Sequence, residues 1–141
     1  MSPIAVAEAF ERAPLLAERV GEGGGVDAII ERARAALAAM TEDERIAVLN
    51  AHPQIGSTAG LSVRSAAEQG AATDGATLET LARLNDEYER RFGFRFVVFV
   101  HGRSRAEIVP VLDARLRRSR NEELATGLEE FLAIARDRMT R

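Results

Sequence analysis

With two histidines, one tyrosine and no cysteine, this 141-residue chain has few side chains able to move a proton or attack a carbon. His52 stands in the most constrained setting. In Ala51-His52-Pro53-Gln54-Ile55-Gly56 the proline ring disfavours helical geometry at the preceding residue, so the imidazole sits where a helix must stop. An imidazole of ordinary pKa, near ~6.5, can donate or accept a proton at neutral pH, which is the work of a general acid–base group. A second constellation is Ser65-Ala66-Ala67-Glu68-Gln69. On a helix Ser65 and Glu68 share a face, so a hydroxyl and a carboxylate can point into one cavity. A third runs Leu84-Asn85-Asp86-Glu87-Tyr88 and on through Arg91-Phe92-Gly93-Phe94-Arg95-Phe96, an aromatic face against an apolar run.

Each of these has a plainer reading. A histidine before proline at a helix end, taken alone, serves structure more often than chemistry. Ser65 and Glu68, by spacing alone, describe a solvated helix face. Tyr88, Phe92, Phe94 and Phe96 fit a core better than a ligand site, and Asn85 on that apolar stripe is expected to bond to main chain. Arg138 could be an ordinary cation at a helix C-terminus. His101, in a His-Gly-Arg-Ser turn, is expected to face solvent, and Arg115, Arg117, Arg118 and Arg120 read as a solvated helix end.

The elements that must position these residues are helical, because apolar residues recur mostly at spacings of three and four. Ser2-Pro3 opens a helix to about Phe10–Arg12, and Pro14 starts another carrying Leu15, Leu16 and Val20. Gly21–Gly25 is a break; it fails the dinucleotide pattern, since Val26 stands where a last glycine is needed. A helix follows from Val26 to Met40. Thr41 and Glu44 form a capping box opening the helix that ends near Ala51. Further helices are expected over about Leu61–Ala71, from Thr77 to just before Gly93, from Ser104 to about Arg118, and from about Asn121 to Met139. Phe94–Val100 looks like a strand, but a lone strand has no partner, so it is expected as buried extended or helical backbone. The prediction is an all-α single domain over residues 1–141, with about seven to eight helices.

Composition closes off whole chemistries. All 19 basic residues are arginine, so Schiff-base formation, lysine-held pyridoxal phosphate and a Walker phosphate loop are excluded. Without cysteine there is no thiolate catalysis, and with no His-Glu-x-x-His pattern no metal site is expected. A net charge of −3 gives no general pull toward nucleic acid or anionic membrane, no apolar run reaches membrane-spanning length, and no secretory signal opens the chain. A soluble cytoplasmic protein is the expectation.

Together the three constellations resemble the OHCU decarboxylase family. The resemblance rests on His52-Pro53-x-Ile55-Gly56, on Ser65-x-x-Glu68-Gln69, and on Leu84-Asn85-x-x-Tyr88-x-x-Arg91-Phe92-Gly93-Phe94-x-Phe96-Val97. It adds a terminal Ile134, Arg138 and Met139, so it covers nearly the whole chain. It implies an all-α fold, a homodimer, and cofactor-free decarboxylation of 2-oxo-4-hydroxy-4-carboxy-5-ureidoimidazoline to (S)-allantoin and carbon dioxide. It also implies roles. His52 would be the catalytic acid or base and Glu68 its carboxylate partner, with Ser65 and Gln69 bonding the ureido and ring amides. Pro53 and the backbone of Phe96, Val97, Val98, Phe99 and Val100 would line the substrate pocket, and Arg138 would answer the substrate's carboxylate. Two positions depart from the pattern: Arg118 stands where the family often has asparagine, and Met139 where it has leucine.

The competing reading is a non-catalytic helical interaction module using apolar helix surfaces, and a further one is an enzyme of this fold with another ureide or α-hydroxy acid substrate. A decarboxylase needs His52, Glu68 and Arg138 to converge on one concave pocket; an interaction module would leave them scattered.

Overall fold

The computed structural model describes residues 9–10, 14–21, 23–55 and 75–140. Six helices lie within them: α1 (Pro14–Val20), α2 (Val26–Ala39), α3 (Glu42–Ala51), α4 (Gly75–Phe92), α5 (Arg105–Arg115) and α6 (Arg120–Thr140). No strand occurs among the described residues. The helices expected at Ser2–Arg12 and Leu61–Ala71 lie largely or wholly outside them.

Helix α1 packs on α2, α4 on α5, and α6 takes both α2 and α3 against its buried stripe. That stripe comprises Glu123, Leu124, Gly127, Phe131, Leu132, Ile134, Ala135, Arg138 and Met139, at helical spacing along one face. At Gly127 the side chain of Leu49 on α3 packs close. A Cβ there would stand 3.3 Å from Leu49 Cδ1, so the missing side chain sets the approach of the two helices. Three exposed ion pairs fix the register of α6 on its neighbours: Arg34 forks onto Glu129, Arg136 reaches Asp27, and Arg120 reaches Glu42. Exposed pairs of this kind add little stability, about 0–1 kcal/mol each, but they select one alignment.

The helix ends follow the chemistry of the sequence. Thr41 and Glu44 satisfy each other's main chain at the start of α3, and Ser104 and Glu107 do the same for α5. Ser119 and Glu122 form a third reciprocal pair before α6. Helix α4 begins at Gly75, two residues ahead of Thr77, and stops at Gly93, whose φ of 81° suits glycine and whose N–H donates to Glu89 O at 2.9 Å. Helix α5 ends at Arg115, three residues short of the expected Arg118.

Residues 95–100 are neither helix nor strand. Side chains supply what a neighbouring strand would. Asn50 Oδ1 accepts from Arg95 N at 2.8 Å, Arg115 Nη1 donates to Val97 O at 2.7 Å, and Glu130 Oε1 accepts from Phe99 N at 3.3 Å. Arg103 donates to the carbonyls of Phe99 and Val100. A segment rich in β-branched and aromatic residues can therefore run through the core unpaired by any strand.

Candidate active site

His52 is the C-cap residue of α3, with φ −72° and ψ 138°, and its N–H donates to Leu49 O at 3.1 Å. The residue is buried, as is Pro53 behind it. Its ring stands edge-on to Phe131, centroids 6.4 Å apart and planes at 79°. Phe131 also stacks on Phe10 at 5.9 Å. Next to Phe10, the carbonyl of Ala9 accepts from Arg138 Nη1 at 3.3 Å.

These contacts bring several of the expected site residues to one helix. On α6, Glu130 touches the main chain of Phe99, and the adjacent Phe131 touches His52. Arg138 lies seven residues past Phe131, two turns along the same stripe, roughly 10 Å at 1.5 Å per residue. It is 2% exposed, which removes the reading of a solvated C-terminal cation. Ser65, Glu68 and Gln69 lie outside the described residues.

The main-chain groups of residues 96–99 are bonded unevenly. Those of Val97 and Phe99 are taken by Arg115, Glu130 and Arg103. No described residue bonds the main chain of Phe96 or Val98, although both residues are buried. Buried main-chain groups ordinarily find partners, so those of Phe96 and Val98 find theirs beyond the described residues, in the rest of the chain or in a ligand.

Side chains hold the turn that carries His52. Arg95 Nη1 donates to His52 O at 2.9 Å, Gln54 Nε2 to Glu89 Oε2 at 2.6 Å, and Asn85 Nδ2 to Ile55 O at 3.0 Å. Asn85 thus bonds main chain, as its place on an apolar stripe implied. Arg95 and Glu89 carried no assignment in the sequence, because an Arg and a Glu near a helix end look like ordinary surface.

Behind the segment lies a buried polar cluster. Glu123, fully buried, accepts from Tyr88 Oη at 2.7 Å, Arg115 Nε at 2.7 Å and Arg118 Nη1 at 2.9 Å. Arg115 also lies over the Phe96 ring, 4.6 Å from its centroid. The expectation of a solvated helix end is corrected here: Arg115 faces inward with Ile108 and Leu112. Arg118, the departure from the family pattern, closes the carboxylate's second oxygen and bonds Thr126, so the turn stays pinned. Burial first, and then the bond to Glu123, pushes the Tyr88 phenol far above its ordinary range.

An open groove of about 440 Å³ lies elsewhere, between α2, α3 and α6, floored by Leu37, Leu124, Leu128 and Leu132. It includes neither His52 nor Arg138. Among the described residues no three His, Asp or Glu side chains gather as a metal ligand set. No helix there is long and apolar enough to cross a membrane.

The OHCU decarboxylase family profile matches residues 4–140, essentially the full chain. The chain belongs to the OHCU decarboxylase family. Among its relatives, the 2-oxo-4-hydroxy-4-carboxy-5-ureidoimidazoline decarboxylase of Haloferax volcanii is 30% identical, over 96% of this chain and 84% of that protein. The protein of the same name from Halalkalicoccus jeotgali is 28% identical, over 93% of this chain and 78% of its own length. A crystal structure of OHCU decarboxylase in the presence of (S)-allantoin superposes with a TM-score of 0.76 at 25% identity, covering 97% of this chain and 96% of that one. The family's all-helical architecture is therefore the one seen here.

Proposed function

We infer that this protein decarboxylates 2-oxo-4-hydroxy-4-carboxy-5-ureidoimidazoline to (S)-allantoin and carbon dioxide, a step of urate degradation, without a cofactor. The observation that carries the reading is family membership over residues 4–140 in a chain that keeps the His-Pro-x-Ile-Gly turn at a helix end.

The chemistry fits the side chains present. The substrate's carboxylate sits on a carbon beside an imine-like ring system. When the bond to carbon dioxide breaks, its electron pair passes into the ring, so no external electron sink is required. The hydroxyl on that carbon loses a proton, the ring nitrogen that receives the electron pair takes one from solvent, and the neighbouring ring carbon gains one, so a single acid–base group can serve the hydroxyl and the carbon. His52 is assigned that role, with Glu68 as its carboxylate partner; general acid–base catalysis of this kind contributes about 10²–10⁴-fold. Proton delivery to one face produces a single enantiomer. Ser65 and Gln69 are assigned to the ureido and ring amides. Arg138 is assigned to the substrate carboxylate, since a guanidinium fork matches it with two parallel hydrogen bonds.

Three features support this assignment. His52 is buried against Phe131 of α6, and Arg138 is buried two turns further along the stripe that carries Phe131. The Phe96–Val100 segment meets the same helix beside Phe131. No described residue bonds the main chain of Val98 on that segment, which is consistent with a ureide's amides bonding there. A cytoplasmic homodimer is part of the same proposal.

The test is to generate the unstable ureidoimidazoline in situ from urate, add the protein, and follow the circular dichroism of allantoin. Rapid appearance of the (S) signal is expected. Racemic product at the uncatalysed rate would reject the function.

A further inference from the structure

We propose that Arg95, acting together with Glu89, is the positioning residue that aims His52. The proposal rests on the catalytic role assigned to His52 above. It begins from the weakness of the element that carries the imidazole. Residues 52–55 belong to no regular secondary structure, and Pro53 brings no N–H with which to secure the turn. The direction of the His52 Cα–Cβ bond is therefore set by whatever holds the peptide groups on either side of it, while Phe131 borders the ring itself.

Both sides are held. On the N-terminal side, His52 N–H donates to Leu49 O at 3.1 Å, continuing the last turn of α3. On the C-terminal side, its carbonyl accepts from Arg95 Nη1 at 2.9 Å. With one bond at each end, φ and ψ of His52 are fixed, and so is the direction of its Cα–Cβ bond. Arg95 is itself anchored twice. Its main-chain N–H donates to Asn50 Oδ1 at 2.8 Å, and its Nε stands 3.8 Å from Glu89 Oε1, an ion pair rather than a hydrogen bond. The other oxygen of Glu89 accepts from Gln54 Nε2 at 2.6 Å. The contacts close a ring: Arg95 to His52, through Pro53 to Gln54, across to Glu89 and back to Arg95. Asn85, one turn before Glu89 on α4, adds the bond to Ile55 O.

The ring is partly exposed, with Arg95 and Glu89 side chains at 29% and 35%, so it contributes little to holding the fold together. Its effect falls on geometry. A displacement of about 1 Å in a reacting group can cost on the order of 10²-fold in rate.

The experiment compares Arg95→Met, Arg95→Lys and Glu89→Gln in the full-length chain. It reads kcat and KM on the ureidoimidazoline and, separately, the imidazole resonances. The chain has only two histidines, and His101 is exposed, so its resonance serves as an internal reference. Arg95→Met is expected to lower kcat about 10- to 100-fold with KM within about twofold, and to shift or broaden the His52 signal while His101 stays in place. Arg95→Lys, which keeps the cation and one donor for the His52 carbonyl, is expected to recover most of the loss. Glu89→Gln is expected to fall between wild type and Arg95→Met. An unmoved His52 resonance in Arg95→Met overturns the proposal, whatever the activity. So does a raised KM at unchanged kcat, which would make Arg95 a substrate contact. A wild-type protein that forms no allantoin while its His52 signal still responds to Arg95→Met would overturn the assigned function and leave the positioning intact.

Discussion

Phe131 meets the imidazole of His52 in a T-shaped contact, 6.4 Å between centroids and 79° between planes, and stacks on Phe10 at 5.9 Å. A single phenyl group on α6 thus joins α3 to the segment at Ala9 and Phe10 that receives Arg138. Phe131→Ala should cost about 3–5 kcal/mol of stability, the usual penalty for emptying an aromatic core site. Phe131→Leu should fold with a much smaller loss and still lower kcat, because it fills the space without an aromatic ring to seat His52. Thermal unfolding with steady-state kinetics on both variants separates the two effects.

Glu123 is the centre of the polar interior, shared by Tyr88, Arg115 and Arg118. Removing one member strands the others in a dry environment. Glu123→Ala should therefore destabilise by about 3–5 kcal/mol, and denaturant titration measures it. Arg115→Met should be milder, because Met can still cover the Phe96 ring.

Tyr88 is the only tyrosine, so its ionisation can be followed directly at 295 nm. Its phenol is raised above the unfolded value of about 10 by burial and by the bond to Glu123. A raised pKa contributes stability that is fully present below pH ~10 and is lost as the pH climbs above it. Tyrosinate absorbance should stay flat through pH 10 and rise only together with loss of helical circular dichroism. A separate, reversible titration near pH 10 in folded protein would contradict the buried cluster.

At acid pH the sign reverses. Glu44, Glu107 and Glu122 are held below the ordinary carboxylate value chiefly by the main-chain N–H groups of Thr41, Ser104 and Ser119, and Glu129 by the Arg34 guanidinium. A lowered pKa contributes stability present above the unfolded value and lost as pH falls through the folded one. The unfolding midpoint should be level above about pH 5 and drop below about pH 4. Thr41→Ala, Ser104→Ala and Ser119→Ala should each lower the midpoint at neutral pH but keep most of the acid decline, because the main-chain N–H that holds each carboxylate remains.

Local chemistry made much of this architecture legible. Thr41 with Glu44 and Ser104 with Glu107 marked two helix starts, and Pro53 marked the end at His52. The want of a partner strand ruled out a sheet at Phe94–Val100. Less visible were features that depend on which way a charged residue faces. Arg115 follows Ile108 and Leu112 at helical spacing, and Glu123 precedes Gly127 and Phe131 by one and two turns, so both belonged to apolar stripes. Their place within a run of charges hid this. The Ser119-x-x-Glu122 pair matched the capping pattern that located α3 and α5, but an arginine-rich flank obscured it. The Arg95–Glu89–Gln54 ring joins residues from three places in the chain, and no short-range pattern encodes it.

The most direct test of the central assignment is His52→Asn, assayed by the circular dichroism of allantoin formed from in-situ substrate. The substitution keeps a planar polar side chain at a helix C-cap, so far-UV spectrum and unfolding midpoint should stay close to wild type. Product should form at the uncatalysed rate and without optical activity. A folded His52→Asn protein that makes (S)-allantoin at near wild-type kcat would show that another group moves the proton.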